Sequence, residues 1–253
     1  MMGYEIIDFT KVEVEEFWIE EAGEEQHIPV EENEEVSAEE NSQEISREKQ
    51  IDEDFRLLDV GNGQGLKKWE SVLPKIIQYV DKPYKDGLSK SILEFFKSPN
   101  LNQCEQISAN LLLLNNFLRP TKVTKTFKPS ILSAQEDIIL FADTDEQALE
   151  KNDELNSTYT EFGFSPIARL LFRGQNIRSL TGVFEVYYKG VTYKLDTAAR
   201  TIDVLVKLNT IFGLKYSRIS RLVWNFICIF VYELPVQEQY ESINKLRRYL
   251  SPD

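Results

Sequence analysis

The chain has 253 residues, enough for one sizeable domain or two small ones, and its 42% hydrophobic content with 15 Phe and 11 Tyr can fill a core. Two cysteines, Cys104 and Cys228, both in apolar surroundings, do not support a disulfide framework or a thiolate zinc site, and the single histidine, His27, lies in an acidic stretch away from any nucleophile. The net charge of -13 is uneven: residues 1–55 hold 20 Asp and Glu against Lys11, Arg47 and Lys49, a net of -17, which leaves +4 on the other 198 residues.

In chain order, residues 1–55 read as a disordered acidic arm, self-repelling and too poor in apolar surface to offset the entropy of ordering. Two apolar islands interrupt it, Tyr4 with Ile6, Ile7 and Phe9, then Val12 and Val14 with Phe17, Trp18 and Ile19. Aromatic residues among carboxylates suit a segment that folds onto a basic protein partner; packing of the islands back onto the body is the plainer alternative. Ser37, Ser42 and Ser46 lie among glutamates and are candidates for an acidophilic kinase. The acidic start, Met1 to Glu25, lacks the basic and apolar regions of a secretory signal, and the expected location is intracellular, cytoplasmic.

Residues 56–65 read as a Gly-rich hinge, with Phe55 to Val60 as a short strand or the lead into a loop. A helical middle domain follows at 66–142. Trp69, Val72, Leu73, Ile76, Ile77 and Val80 recur at helical spacing, with Pro74 expected to kink or end that helix. Leu88, Ile92, Phe95 and Phe96 mark a second helix, closed by Ser98-Pro99, and a third runs from about Leu101 to Leu118. Arg119, Lys122, Lys125 and Lys128 then recur at every third position in a segment without carboxylates, an extended basic connector. Ser133 and Glu136 fit a capping box, so a helix competes with a strand over Asp137 to Phe141. Residues 143–160 read as an acidic linker or loop, in which Asp143 and Asp145 are a solvated pair or a site for a hard cation.

The last domain, 161–253, reads as helical with a β-hairpin. Ser165-Pro166 predicts a helix over Ile167 to Arg173; Val183 to Tyr188 and Val191 to Leu195 flank Lys189-Gly190 as a hairpin. Asp196 caps a helix carrying Ile202, Leu205, Leu208 and Phe212, Ser217 opens one that is apolar on nearly every face, and Pro235 opens an amphipathic last one. The apolar run Leu222 to Tyr232 is too short for a membrane span of about 20 residues. The expected fold class is mostly α with one β-hairpin.

Two resemblances follow from these residues. Leu57-Leu58-Asp59-Val60-Gly61-Asn62-Gly63-Gln64-Gly65 resembles motif I of class I methyltransferases, a strand ending in an acidic residue and then G-x-G-x-G. That resemblance implies S-adenosylmethionine held by Asp59, Gly61, Gly63 and Gly65, with Asp81 on the ribose and Asp137 to Asp143 as the strand beside the substrate. A flexible hinge is the plainer reading of the same glycines, with no cofactor.

The overall plan of acidic arm, hinge, helical middle, linker and basic C-terminal domain resembles the phosphoprotein of negative-strand RNA viruses, a non-enzymatic polymerase cofactor and nucleoprotein chaperone. It implies that the arm, through Tyr4, Ile7, Phe9, Phe17 and Trp18, binds a nucleoprotein, with the polymerase as a second partner. Arg169, Arg173, Arg178, Arg218, Arg221, Arg247 and Arg248 would then face an acidic protein or, weakly or indirectly, nucleic acid. As ordinary residues they are the polar faces of amphipathic helices. A third expectation is a host adaptor or transcription-linked factor with an activation-type arm.

Overall fold

The structure, a computed structural model, describes residues 48–61, 65–79, 86–164, 167–235 and 240–251. Tyr4, Ile7, Phe9, Phe17, Trp18, His27, the three arm serines, Gly63 and Asp81 lie outside the described residues, as does most of the arm.

Residues 48–57 form the first helix, α1, which corrects both the arm boundary at 55 and the strand considered after it. Ile51 and Phe55 are four apart on one face and both are buried in the main core. Helix α2 runs Gly65–Tyr79 without ending at Pro74. Helix α3, Gly87–Phe96, starts where Asp86 accepts from the Ser89 amide, and α4, Gln103–Phe117, starts in a reciprocal capping box between Asn102 and Glu105.

The basic connector is not extended. Val123 N–H donates to the Phe127 carbonyl at 3.0 Å, and the Thr124 hydroxyl accepts from Phe127 N–H at 2.9 Å, so residues 123–127 close into a tight loop. The competition after it resolves into both elements in succession. Ser130 caps α5, Ile131–Ile138, three residues earlier than the Ser133 reading, and strand β1, Ile139–Ala142, follows directly.

Residues 143–160 are no linker. Thr144 caps a helix, α6, over Asp145–Glu161, with Ala148, Asn152 and Tyr159 buried. The segment was misread because its acidic face is solvated while one small stripe packs. After it, Arg169–Arg173 is strand β2 and not a helix, because it runs parallel to β1 with four of its five residues buried. The hairpin is as expected: β3, Phe184–Tyr188, and β4, Val191–Leu195, pair across Tyr188 and Val191. Lys189 and Gly190 both have positive φ, 48° and 82°, the twist a two-residue turn needs. Strand order is β1-β2-β3-β4.

Thr197, one residue after the expected cap, starts α7, Ala198–Ile211. Helix α8, Arg221–Phe226, starts at Ser220 and not at Ser217, widens into a π-helical turn over Ile227–Val231, and is followed by α9, Glu241–Leu250. The fold is therefore predominantly helical with a small four-stranded sheet.

Alternation sorts the sheet's two faces. Ile139, Leu170, Phe172, Phe184 and Val186 join the main core with α2, α4, α7 and α8, whereas Leu140, Ala142 and Leu171 pack with Ala148 of α6. One continuous core thus draws on residues from Ile51 to Leu250, and residues 40–253 form a single unit. The expected division into a middle and a C-terminal domain does not exist, because the strand that ends the first half pairs with the strand that opens the second.

Candidate functional site

Gly61 and Gly65 of the expected hinge are packed. Gly61 has φ 68°, and a Cβ there would lie 2.3 Å from the Tyr232 carbonyl oxygen; one on Gly65 would lie 2.2 Å from Cε1 of the Tyr232 ring. Both positions need glycine for close approach to the turn that follows α8. The strand that motif I requires ahead of Gly61 is a helix through residue 57, and Asp59 sits in the exposed turn after it at φ 49°.

An ion cluster holds the same region from the other side. Arg200 on α7 grips Asp52 of α1 with two nitrogens, at 2.9 and 2.8 Å, and reaches Asp203 at 2.6 Å and Glu48 at 3.4 Å. Lys207 bonds Asp52 and Asp203 at 2.6 and 2.7 Å, and Tyr232 donates to Asp203 at 2.8 Å. Burial pushes the Asp52 carboxyl up, but the hydrogen bonds and charges of Arg200 and Lys207 outweigh it and hold that carboxyl below its ordinary value. At Glu48 burial prevails over Arg200 and the pKa is raised. These groups clip α1 to α7 and neutralise one another, which makes the cluster structural.

The arginines expected to face a partner disperse. Arg169 is 2% exposed and cannot meet a macromolecule. Arg173 is spent on Glu185 at 2.6 Å and on Asp145. Arg178 lies over the Phe95 ring and donates to the Ser91 carbonyl at 2.9 Å, docking the β2–β3 segment on α3. Arg247 and Arg248 are exposed on α9, where Arg248 pairs with Glu241 at 3.0 Å.

Arg221 meets the basic segment directly, and Arg218 is linked to it through a chain of rings. Arg221 donates to the Thr121 hydroxyl at 2.7 Å and lies over the Tyr240 ring. Arg218 is exposed and lies over Phe164, its guanidinium carbon 5.0 Å from the ring centroid. Phe164 stands 6.3 Å from Phe162, and Phe162 stacks on Phe127 at 4.3 Å with 13° between the planes. The three rings are half-buried and form a column that runs from Arg218 to the loop, where Lys122, Lys125 and Lys128 are exposed and make no ion pair among the described residues. Glu161, next to Phe162 in sequence, is exposed.

Beneath the column lies a buried polar centre that fixes it. Tyr159, whose ring is 6.2 Å from that of Phe164, shares a 2.6 Å hydrogen bond with Ser217, tying α6 to the segment that carries Arg218. Arg169 donates to Asn156 at 2.9 Å and to Asn152, and lies over the Tyr159 ring. Ser220 donates to Asp137. Burial pushes the Asp137 carboxyl up to about 6, against the Ser217 and Ser220 hydroxyls and the charge of Arg169, and the same burial lowers the Arg169 pKa. Ser217 and Ser220 thus anchor both ends of the turn that presents Arg218.

No family model matches this chain, and neither a curated protein nor a solved structure matches it. Among the described residues no helix is long and apolar enough to cross a membrane, and no group of His, Cys, Asp and Glu is arranged to hold a metal.

Proposed function

We propose that the chain is a binding protein whose body holds an acidic partner on the face formed by Lys122, Lys125, Lys128, Arg218 and the Phe127–Phe162–Phe164 column. The observation that carries this reading is a set of three exposed lysines, without a carboxylate partner among the described residues, on a segment that the ring column links to the exposed Arg218. Charges left unpaired at one place attract an oppositely charged ligand and speed its encounter, with a strength that falls as salt rises. Binding rather than catalysis also fits Asp137: the carboxyl tuned to about 6 is fully buried under this face, where no substrate reaches it.

The acidic arm supplies the complementary half of the reading. With a net of -17 over residues 1–55 and two aromatic islands, it suits a basic protein partner, and a nucleoprotein chaperoned as part of a polymerase complex is the specific form of that proposal. The test of the body's role is retention of the full chain on a generic polyanion, heparin, compared with the triple variant Lys122→Gln, Lys125→Gln, Lys128→Gln. The wild type should elute at clearly higher salt than the variant. Equal elution of the two would remove the proposal.

A further inference from the structure

We infer that the acidic ligand of this face is a single-stranded nucleic acid, with phosphates on Lys122, Lys125, Lys128 and Arg218 and a base extending the aromatic column. The inference rests on the polyanion reading above and adds the bases to it.

A site for phosphate or carboxylate alone needs cations in reach of one another and nothing apolar. Here the cations are interleaved with rings. Phe127 lies between Lys125 and Lys128 in the tight loop, and its stacking partner Phe162 leads through Phe164 to the Arg218 guanidinium. Planar cations and aromatic rings in one column are what an unpaired base stacks on, and every base has such a face, so this recognition tolerates sequence.

A duplex hides its base faces, and the element here is a loop of residues 123–127 and not a helix or ribbon that would enter a groove. An acidic protein segment without aromatic side chains would satisfy the lysines and leave the column unused. The column is also held rigid, since Tyr159 and Ser217 bond beneath it and Ser220 bonds Asp137, so little ordering is required on binding.

The experiment is fluorescence anisotropy of the full chain with oligouridylate and oligothymidylate of about ten nucleotides, the length scale of one such binding site. A duplex of the same length, heparin and inorganic polyphosphate serve as further probes. Variants are Phe127→Leu, which keeps apolar packing without a ring face, and Arg218→Ala at an exposed position, each checked for folding by circular dichroism.

The expected result is single strands bound more tightly than duplex, with roughly 5–150-fold loss in Phe127→Leu, the range that corresponds to losing one stacked base. Heparin binding should be unchanged in that variant. The log–log salt slope for single strands should be about -3, for four neutralised phosphates.

If single strands, polyphosphate and heparin bind alike and Phe127→Leu changes none of them, the nucleic-acid inference fails while the acidic-partner reading stands, and an acidic protein becomes the ligand. Tighter binding of the duplex also overturns the inference. If no polyanion binds, both readings fall.

Discussion

Replacing Gly61 by alanine tests whether the chain at this position, in the expected 56–65 hinge, is a free joint or a packed seam. The new methyl would stand 2.3 Å from the Tyr232 carbonyl oxygen, which belongs to the backbone and cannot swing away, and 3.1 Å from a methyl of Leu234. Overpacking of this kind costs about 1–3 kcal/mol, and a side chain held at positive φ adds about 1–2 kcal/mol, so a loss of roughly 2–5 kcal/mol is expected.

Gly163 supplies the control. Its φ of 72° nearly equals the 68° of Gly61, but nothing lies within 4 Å of its Cβ position, so Gly163→Ala should cost only the strain, about 1–2 kcal/mol. The assay is equilibrium unfolding of the full chain in urea, followed by tryptophan fluorescence. A marginal native state makes a loss of 2 kcal/mol or more, on the order expected here, an evident shift of the midpoint at unchanged slope. If Gly61→Ala and Gly163→Ala unfold at the same urea concentration, Gly61 does not sit against Tyr232 and the hinge reading returns.

The buried centre gives a pH signature. Asp137 releases its proton near 3.8 when unfolded and near 6 when folded, so between these values the folded state binds more protons and the stability it gains falls as pH rises. In chemical denaturation at pH 4 and at pH 7, Asp137→Asn should therefore gain about 2 kcal/mol relative to wild type on going to the higher pH; a constant difference would refute the shift. Arg200→Ala leaves Asp203, 1% exposed, with one cation fewer and should destabilise by about 3 kcal/mol while speeding amide exchange in residues 48–57. Unchanged exchange there would show that the clip does not hold α1. Under native conditions a thiol reagent should label the partly exposed Cys104 and spare Cys228, whose burial pushes its thiol up to about 11; two equally fast thiols would contradict the packing. Glu161→Gln, which removes a negative charge next to Phe162 in sequence, should tighten binding of heparin, and weaker binding would place the anion elsewhere.

Elements fixed by local chemistry were legible in the sequence. The hairpin follows from Lys189-Gly190 between two alternating runs, and α3 and α4 from periodicity ahead of Ser98-Pro99 and after Asn102. Elements fixed by tertiary pairing were not. Arg169-Leu-Leu-Phe-Arg has no helix or strand preference strong enough to decide, and it is a strand because β1 lies beside it and both its faces are covered. The acidic helix α6 was hidden for a related reason: only Ala148, Asn152 and Tyr159 are buried along it while its other residues are largely polar or charged.

The candidate site was half visible. The lysine spacing over 122–128 stood out, as did Arg218, but the ring column that unites them joins Phe127 to Phe162 and Phe164 across 35 residues, and no periodicity links those positions. The Phe-Gly-Phe sequence at 162–164 was the one available signal, an aromatic pair around a glycine at the end of an acidic helix. The arginine expectation went wrong in the opposite direction. Arg169 looked like a surface cation on a predicted helix, and becomes a buried support once that segment pairs as a strand.

The most direct measurement on the central claim is acetylation footprinting of lysines in the full chain with and without bound heparin, read by mass spectrometry. The account predicts strong protection of Lys122, Lys125 and Lys128, with Lys67, Lys90 and Lys189, which are also exposed, labelled as before. Protection spread evenly over all of these, or confined to the second group, would contradict the assignment of the acidic partner to this face.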